Sequence, residues 1–408
     1  MKKETKIITQ NWGEINPKKI GDYLKVGGYE TLKNFVKNPD GKKAVAEIKL
    51  SGLQGRGGAG FSMGKKMECV FNNKVKEKYF VCNFDESEPG TFKDRLIVEN
   101  NPHLVLEGII LASLIVGAQK AIIYINGHYE KAKEILEMAL EQAQEKNFWG
   151  EHILKTKLNL EIEIFVGAGA YICGEETALL NSLEGLRGEP KARPPYPVEN
   201  GYLGKPTLIN NVETVANVPW IIKNGEKKYA AVGSEKSPGT KLFTISGAVK
   251  NPGYFELPLG ITLRELIFDK AGGMKKGKDF WFAQLGGASG RLLMEEDLDT
   301  KLEYSREGKF PLGSGAILVV DKSVPIWELL FSWSDFFARE SCGKCIPCRE
   351  GTFRMREIIG RFEDGEISER DKQALQDILW TLEKTCFCPF GSFAAVAIKD
   401  AIQKLKIF

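Results

Sequence analysis

Cys342, Cys345 and Cys348 are spaced C-x2-C-x2-C between Glu340 and Gly351, which puts three thiolates on one tight loop. Such a loop can follow three corners of a cubane iron–sulfur cluster. Zinc would more naturally take two separated C-x2-C pairs, or cysteines mixed with histidines. Bacterial two-cluster ferredoxins add a fourth cysteine after three further residues, whereas Cys348 is followed by Arg349, Glu350, Gly351 and Thr352. A fourth ligand must come from elsewhere, and Cys386 and Cys388 are the two candidates. The spacing favours a [4Fe–4S] cluster with one remote ligand over a zinc knuckle or a disulfide pair.

Other stretches carry groups suited to phosphate or a heterocycle. Gly55 to Gly60 satisfies G-x-G-x-x-G, but the dinucleotide fingerprint needs a strand just before it, and Lys43 to Leu50 reads as helix. An anion loop outside the usual dinucleotide turn is expected, its backbone N–H groups approaching phosphate and Arg56, Lys65 and Lys66 supplying charge. A flexible surface loop is the plain alternative. Asp85, Glu86 and Glu88 crowd three acids into four residues after an expected strand, Tyr79 to Phe84. Open α/β sheets hold ligands at the carboxyl ends of strands, although a solvated turn would have the same composition. Asn210 and Asn211 suit a heterocycle edge or a helix cap equally. His103, His128 and His152 stand beside no candidate nucleophile, and G-x-S-x-G and H-E-x-x-H are missing, so hydrolysis is poorly supported. Electron transfer through a bound cofactor suits the inventory better.

The elements that must position these groups alternate strand and helix. Asn16-Pro17 is expected to cap a helix, with two short helices separated by Gly27-Gly28. Helices at 102–117 and 129–146 flank a strand at 121–125, and a strand at 160–166 leads toward Tyr171 and Glu176. This alternation predicts a mostly parallel sheet. The prolines at 190, 194, 195 and 197 predict a stiff extended arm, and a helix is expected to begin at Asn210–Thr214. Residues 233–239 read as a linker. Strands near 241–249, 254–257 and 316–320 with a helix at 262–270 resemble a small ubiquitin-like unit. From Ser323 the pattern is helical, with helices near 350–361, 369–384 and 391–405 completing four and Ser368 as a cap with Asp371. Three domains are expected: 1–236, 237–322 and 323–408.

A chain of 408 residues with 43% hydrophobic and 27% charged residues reads as ordinary and globular. Its net charge of +3, from 57 basic and 54 acidic residues, gives no reason to expect nucleic acid or an anionic membrane. The opening residues lack a secretory apolar stretch. The longest apolar run, Gly108 to Ala118, is about half of a membrane span. Eight cysteines in so long a chain do not suggest a secreted disulfide scaffold. A cytoplasmic protein without membrane insertion is expected.

In their order along the chain, Gly55–Phe61, Asn83–Arg95, Gly169–Ala178 with Glu184–Gly188, Lys205–Thr214 and Glu340–Gly351 resemble the flavin- and NADH-binding 51-kilodalton, or F, subunit of respiratory complex I. Related NAD-linked hydrogenases and formate dehydrogenases share this family. The resemblance implies a Rossmann-like domain binding FMN through Gly55, Arg56, Gly57, Gly58, Lys66, Asn83, Asp85, Glu86, Ser87, Tyr171, Gly174, Glu175, Glu176, Asn210, Asn211 and Thr214. It places NAD(H) at Phe61, Glu88, Glu176, Arg193 and Tyr196, with Glu88 near the adenosine ribose. Cys69 stands where many relatives have an aromatic ring, and Met67 replaces a common tryptophan. The resemblance assigns the cluster to Cys342, Cys345, Cys348 and Cys388, in a C-terminal four-helix bundle. Cys386, two residues away and pointing to the opposite side, is left as a small buried hydrophobe. Hydride would pass between nicotinamide and FMN, and single electrons would pass to the cluster. The implied partners are a thioredoxin-like [2Fe–2S] subunit and a larger iron–sulfur subunit. An electron-bifurcating NAD(P)/ferredoxin flavoprotein is the alternative.

Overall fold

The computed structural model describes residues 5–304, 310–363 and 367–407. Four parallel strands, β1 (Tyr79–Phe84), β2 (Lys120–Asn126), β3 (Glu161–Gly167) and β4 (Thr207–Asn211), pair in the order β3-β2-β1-β4. Strands β1 and β2 are buried along nearly their whole length, as in a parallel sheet covered on both faces. Alternate residues serve different layers. Phe80, Cys82, Phe84 and Ile123 join one core with the helix Pro102–Val116. Val81, Ile122, Tyr124 and Ile209 join another with the C-terminal helices.

The helix Pro102–Val116 shows why the local sequence folds as it does. Asn101 caps it by accepting from the Leu104 amide at 3.2 Å, Pro102 opens it, and Gly117 at φ +78° ends it. Gly108 lets the helix Val212–Ala216 pass so closely that a methyl group there would overlap the Val215 carbonyl.

A second sheet contains β5 (Thr240–Gly247), β6 (Gly253–Pro258), β7 (Phe280–Leu285), β8 (Arg291–Leu293) and β9 (Ala316–Asp321). Its order is β6-β5-β9-β7-β8, with β5 and β9 parallel and the other pairs antiparallel. The helical segment Glu265–Lys270, wound as a π-helix, packs Leu266 and Ile267 into this sheet's core. Glu256 on β6 accepts the amides of Ile7, Ile8 and Thr9 at 2.8, 3.0 and 2.7 Å, pinning the early chain to this unit.

Helices Ile326–Glu340, Ile346–Glu363, Glu369–Thr385, Pro389–Ala394 and Val396–Leu405 follow. The last expected helix is thus two, separated at Ala395. Ser368 and Asp371 form the expected capping box. Asp400 ties the final helix to β8, accepting from Arg291 Nε at 2.8 Å and the Leu292 amide at 3.0 Å.

Several local expectations change. The first helix starts at Ile20, since Asn16 spends its side chain on the Lys18 amide. Asn210 and Asn211 end β4, and the helix begins within the expected stretch, at Val212, with Asn211 as its cap. The linker is packed: Ser237 is buried and the Pro238 carbonyl accepts from Arg56. The helix Lys93–Asn100 and strands β7 and β8 lie outside the expected elements.

Candidate functional site

The chain lays β2 and β3 to one side of β1 and β4 to the other. This reversal opens a crevice at the carboxyl ends of β1 and β4, where doubly wound sheets bind ligands. Register pairs Cys82 with Asn210 and Asn83 with Asn211, so Asp85 to Glu88 leave the sheet beside the two asparagines. Both Asp85 carboxylate oxygens, Ser87 Oγ and Asn210 Nδ2 are buried here without a hydrogen-bond partner. Each such group costs about 1–3 kcal/mol when left unpaired, so their grouping marks a place for polar atoms of a ligand. Burial, and next the Glu340 carboxylate, push Asp85 up to about 7.

The glycine loop closes on itself, the Gly55 amide donating to the Phe61 carbonyl at 2.8 Å. Helix Met63–Asn72 follows it and helix Gly41–Leu50 precedes it, as expected for a loop outside the usual dinucleotide turn. Gly57 rides against β4, where a methyl would stand 3.1 Å from Asn211 Cβ. Gly58 takes φ +139° near Gly313 and Ser314. Lys66 Nζ reaches Glu176 at 3.1 Å and the Ile209 carbonyl at 2.8 Å. Arg193 reaches the other Glu176 oxygen at 3.0 Å. Burial would raise the Glu176 carboxyl, but Lys66 and Arg193 bring it below the usual carboxylate range. Asn83 donates to the Gly174 carbonyl at 2.9 Å.

Five expected contributors have other work for their side chains. The Arg56 guanidinium is fully buried, bonded to the Gln54, Pro238 and Thr240 carbonyls and the Tyr229 hydroxyl. It joins the two sheets and supplies no charge to the loop's open side. Glu86 caps the helix Lys93–Asn100, accepting from the Asp94 and Arg95 amides at 2.8 and 3.0 Å. Glu175 caps the helix Glu176–Leu183 through the Thr177 and Ala178 amides, both at 2.9 Å. Asn211 is held by Lys93, Asp94 and the Glu213 amide. Thr214 Oγ1 accepts from the Arg56 amide at 2.8 Å, fixing the glycine loop to its helix.

Toward the outer face, Phe61 and Tyr196 are each 50% exposed, while Lys65 and Cys69 are exposed and Met67 is buried in the core. Glu88 is engaged by the Tyr171 hydroxyl and by Ser289, which follows β7. The Tyr171 amide donates to Glu340 at 3.0 Å, and its ring meets Phe336 and Phe390. Tyr171 therefore links the crevice to the cysteine-bearing helices.

Sequence reasoning missed the buried charges beneath the crevice. Lys93 pairs with Asp94 at 2.7 Å and Glu213 at 3.1 Å, and Lys241 pairs with Glu213 at 2.6 Å. Lys93 and Asp94 lay inside the acid-rich stretch, and Glu213 beside the asparagine pair. Lys241, at the head of an apolar strand, gave no signal of being inaccessible.

At the far helices, Cys342 and Cys345 lie on the loop after Glu340, and Cys348 in the first turn of the next helix. Gly343 takes φ +75° to turn that loop. Cys388 occupies the cap of the helix Pro389–Ala394, where the Phe390 and Gly391 amides restrain a thiol that burial pushes up to about 11. Cys386 is not turned away as expected. Its thiol lies against Cys348, and a methyl on Gly391 would overlap it. The loop's tight path brings both remote cysteines to the same end.

Residues 48–220 match the Nuo51 FMN-binding domain, 242–292 the SLBB domain, and 328–406 the iron–sulfur binding region of NADH-ubiquinone oxidoreductase-F. The chain is 44% identical to the F subunit of NADH-quinone oxidoreductase of Aquifex aeolicus, over 94% of its own length and 89% of that protein's. It is 42% identical to the HndC subunit of the NADP-reducing hydrogenase of Solidesulfovibrio fructosivorans, over 96% of its length and 80% of that protein's. The chain belongs to the family of NADH-quinone oxidoreductase F subunits. A solved NAD+-reducing [NiFe]-hydrogenase superposes with a TM-score of 0.84 at 33% identity, covering 98% of this chain and 65% of that one.

A member of this family is an NAD(H)-linked oxidoreductase subunit with FMN and a [4Fe–4S] cluster. The residues fit both groups. The unpaired atoms of Asp85, Ser87 and Asn210 offer a flavin hydrogen-bonding partners of both kinds. Among the described residues no three donors stand in metal-binding geometry. The fit at the helices is therefore one of donor chemistry, five thiols on two adjoining loops, and thiolates suit iron–sulfur clusters. Among the described residues no helix is long and apolar enough to cross a membrane.

Proposed function

We propose that the chain works within a larger complex, receiving electrons from NADH (or delivering them to NAD+) at the β1–β4 crevice and exchanging them with partner subunits through the cysteine-bearing helices. The four unpaired polar atoms of Asp85, Ser87 and Asn210 at the strand switch carry this reading. The bound flavin would accept two electrons as hydride and the cluster would take them one at a time.

This chain's residues supply binding and electrostatics. Asn210 Nδ2 donates into the crevice, and Asp85, buried with a carboxyl raised to about 7, can hold a proton at Oδ at neutral pH. Lys66 and Arg193 keep Glu176 ionised at the crevice mouth. The half-exposed rings of Phe61 and Tyr196 offer apolar faces for an adenine. Gly55 to Gly58 keep backbone N–H groups near phosphate. Cys342, Cys345, Cys348 and Cys388 would hold the cluster, and Tyr171, Phe336 and Phe390 fill the space between the two sites.

The domain limits 1–236, 237–322 and 323–408 belong to this reading. So do a Rossmann-like first domain, a ubiquitin-like second domain supported by the order β6-β5-β9-β7-β8, and a helical bundle. A cytoplasmic peripheral position beside a thioredoxin-like [2Fe–2S] subunit and a larger iron–sulfur subunit completes it. An electron-bifurcating role has no specific observation in its favour. Acid extraction should release FMN in about equal amount to protein, and the protein should reduce ferricyanide with NADH. Recovery of FAD, or of no flavin from iron-replete protein, would overturn the reading.

A further inference from the structure

We propose that Arg187 and Arg349 are positioning residues of the iron–sulfur site, gripping the backbone between two of its cysteines and making the cluster easier to reduce. The inference rests on the proposed function, which puts the cluster at Cys342, Cys345, Cys348 and Cys388.

The stretch Glu184–Gly188 brings the first of these residues from the crevice side, just ahead of the proline arm. Arg187 Nη2 donates to the Cys342 carbonyl. It also lies beside Gly343, where a methyl would stand 3.6 Å from it. Arg349, in the first turn of the helix Ile346–Glu363, donates from Nη1 to the Gly343 carbonyl at 3.0 Å. Two successive carbonyls of the cysteine loop thus end on guanidiniums. Lys344, the next residue, reaches back to the Glu189 carboxylate at 3.1 Å and the Pro190 carbonyl at 2.7 Å. Its ammonium stands 5.1 Å from the centre of the Phe387 ring, and Phe387 separates Cys386 from Cys388.

Holding a carbonyl fixes its whole peptide plane, because the unit is planar and trans and its N–H points opposite to its C=O. With the Gly343 carbonyl on Arg349, the Lys344 amide of the same unit donates to the Cys342 thiol. Hydrogen bonds to the sulfurs and nearby charge are two of the levers that set a cluster's potential. Reduction adds one negative charge, so an N–H donor and a cation both favour the reduced state. Lys344 and Arg349 are paired with Glu189 and Glu350 at 3.1 and 3.2 Å, which offsets their charge. Among the described residues no carboxylate pairs with Arg187, so its charge remains for the site. Arg187 is exposed, and salt therefore screens part of that charge.

The test is a potentiometric titration of the purified protein, loaded with flavin and cluster, reading the reduced-cluster paramagnetic resonance signal at each potential. Wild type is compared with Arg187→Gln, Arg187→Lys and Arg349→Gln. Arg187→Gln should disfavour reduction roughly fivefold, the upper end for a screened surface charge. That is about 40 mV to the negative, at about 59 mV per tenfold for one electron. Arg187→Lys should keep most of the wild-type potential. Raising the salt from about 0.05 M to about 0.5 M should narrow the gap between wild type and Arg187→Gln. Arg349→Gln should also move the potential to the negative, because it frees the Gly343 carbonyl and with it the Lys344 amide. Iron and flavin content should stay at the wild-type level throughout. A potential unchanged in both Gln variants overturns the proposal, as do equal shifts in Arg187→Gln and Arg187→Lys. Loss of iron from Arg187→Gln would assign the guanidinium to holding the loop alone and overturn it too. Wild type that holds iron but gives no [4Fe–4S] signal at any potential would instead refute the proposed function itself.

Discussion

Glu213 and Lys241 form an ion pair at 2.6 Å with both side chains wholly inaccessible, tying the helix after β4 to the first residues of the second sheet. Lys93 and Asp94 complete the group, so two buried cations face two buried anions. Burial pushes Lys241 down to about 8 against the pull of Glu213.

Removing Lys241 leaves Lys93 as the one cation for the two buried anions Asp94 and Glu213. Lys241→Met is expected to lower stability by about 3–5 kcal/mol. The double variant with Glu213→Gln should lose less than the sum of the two single changes. Urea unfolding measures both, and a single-variant loss below about 1 kcal/mol would show that the group is not held as described.

Asp85 makes the stability of the flavin-free protein depend on pH. Its folded carboxyl is raised to about 7 while the unfolded value is about 3.9. Between these limits the folded state binds more protons, so stability falls as pH rises from about 4 to about 7. The full span is worth about 4 kcal/mol. Glu86, also raised by burial and by Asp94, adds a slope of the same sign. Asp85→Asn should flatten the profile without abolishing it, and an unchanged profile would remove Asp85 as the cause.

Cys388 and Cys386 compete for the fourth cluster position. Cys388 caps a helix with two amides directed at its thiol, and these donors offset part of the rise that burial imposes on it. Cys388→Ala should lose or strongly alter the reduced-cluster paramagnetic resonance signal, with iron content falling in step. Cys386→Ala should keep both. The reverse pattern would move the ligand to Cys386, and loss in neither would place it off this loop.

The parallel sheet, the second unit and the helical end were legible because burial period, turn residues and cysteine spacing are local signals. What was not legible is side-chain direction. Asn83, Asp85 and Ser87 share one parity along the strand end, and two of them carry the unpaired atoms, whereas Glu86 turns to cap a helix. Asn210 and Asn211 divide in the same way between crevice and buried network. Period-two alternation could have divided each pair, but with Asn210 beside Cys82 and Asn211 beside Asn83 it could not have told which asparagine meets the crevice. Arg56 could not have been sorted so, because its direction depends on carbonyls at 238 and 240, far along the chain. Strand β8 spans only three residues, too few for a period to show, and the glycine-rich turn Gly286–Gly290 that joins it to β7 was a signal the reading passed over.

Anaerobic titration of the purified protein with NADH, followed by absorbance and then by paramagnetic resonance, tests the central claim most directly. About one and a half equivalents of NADH per protein, three electrons in all, should bleach a bound FMN and give a reduced [4Fe–4S] signal in the same sample. Protein that carries flavin and iron but is neither bleached nor given a cluster signal by NADH would contradict the account.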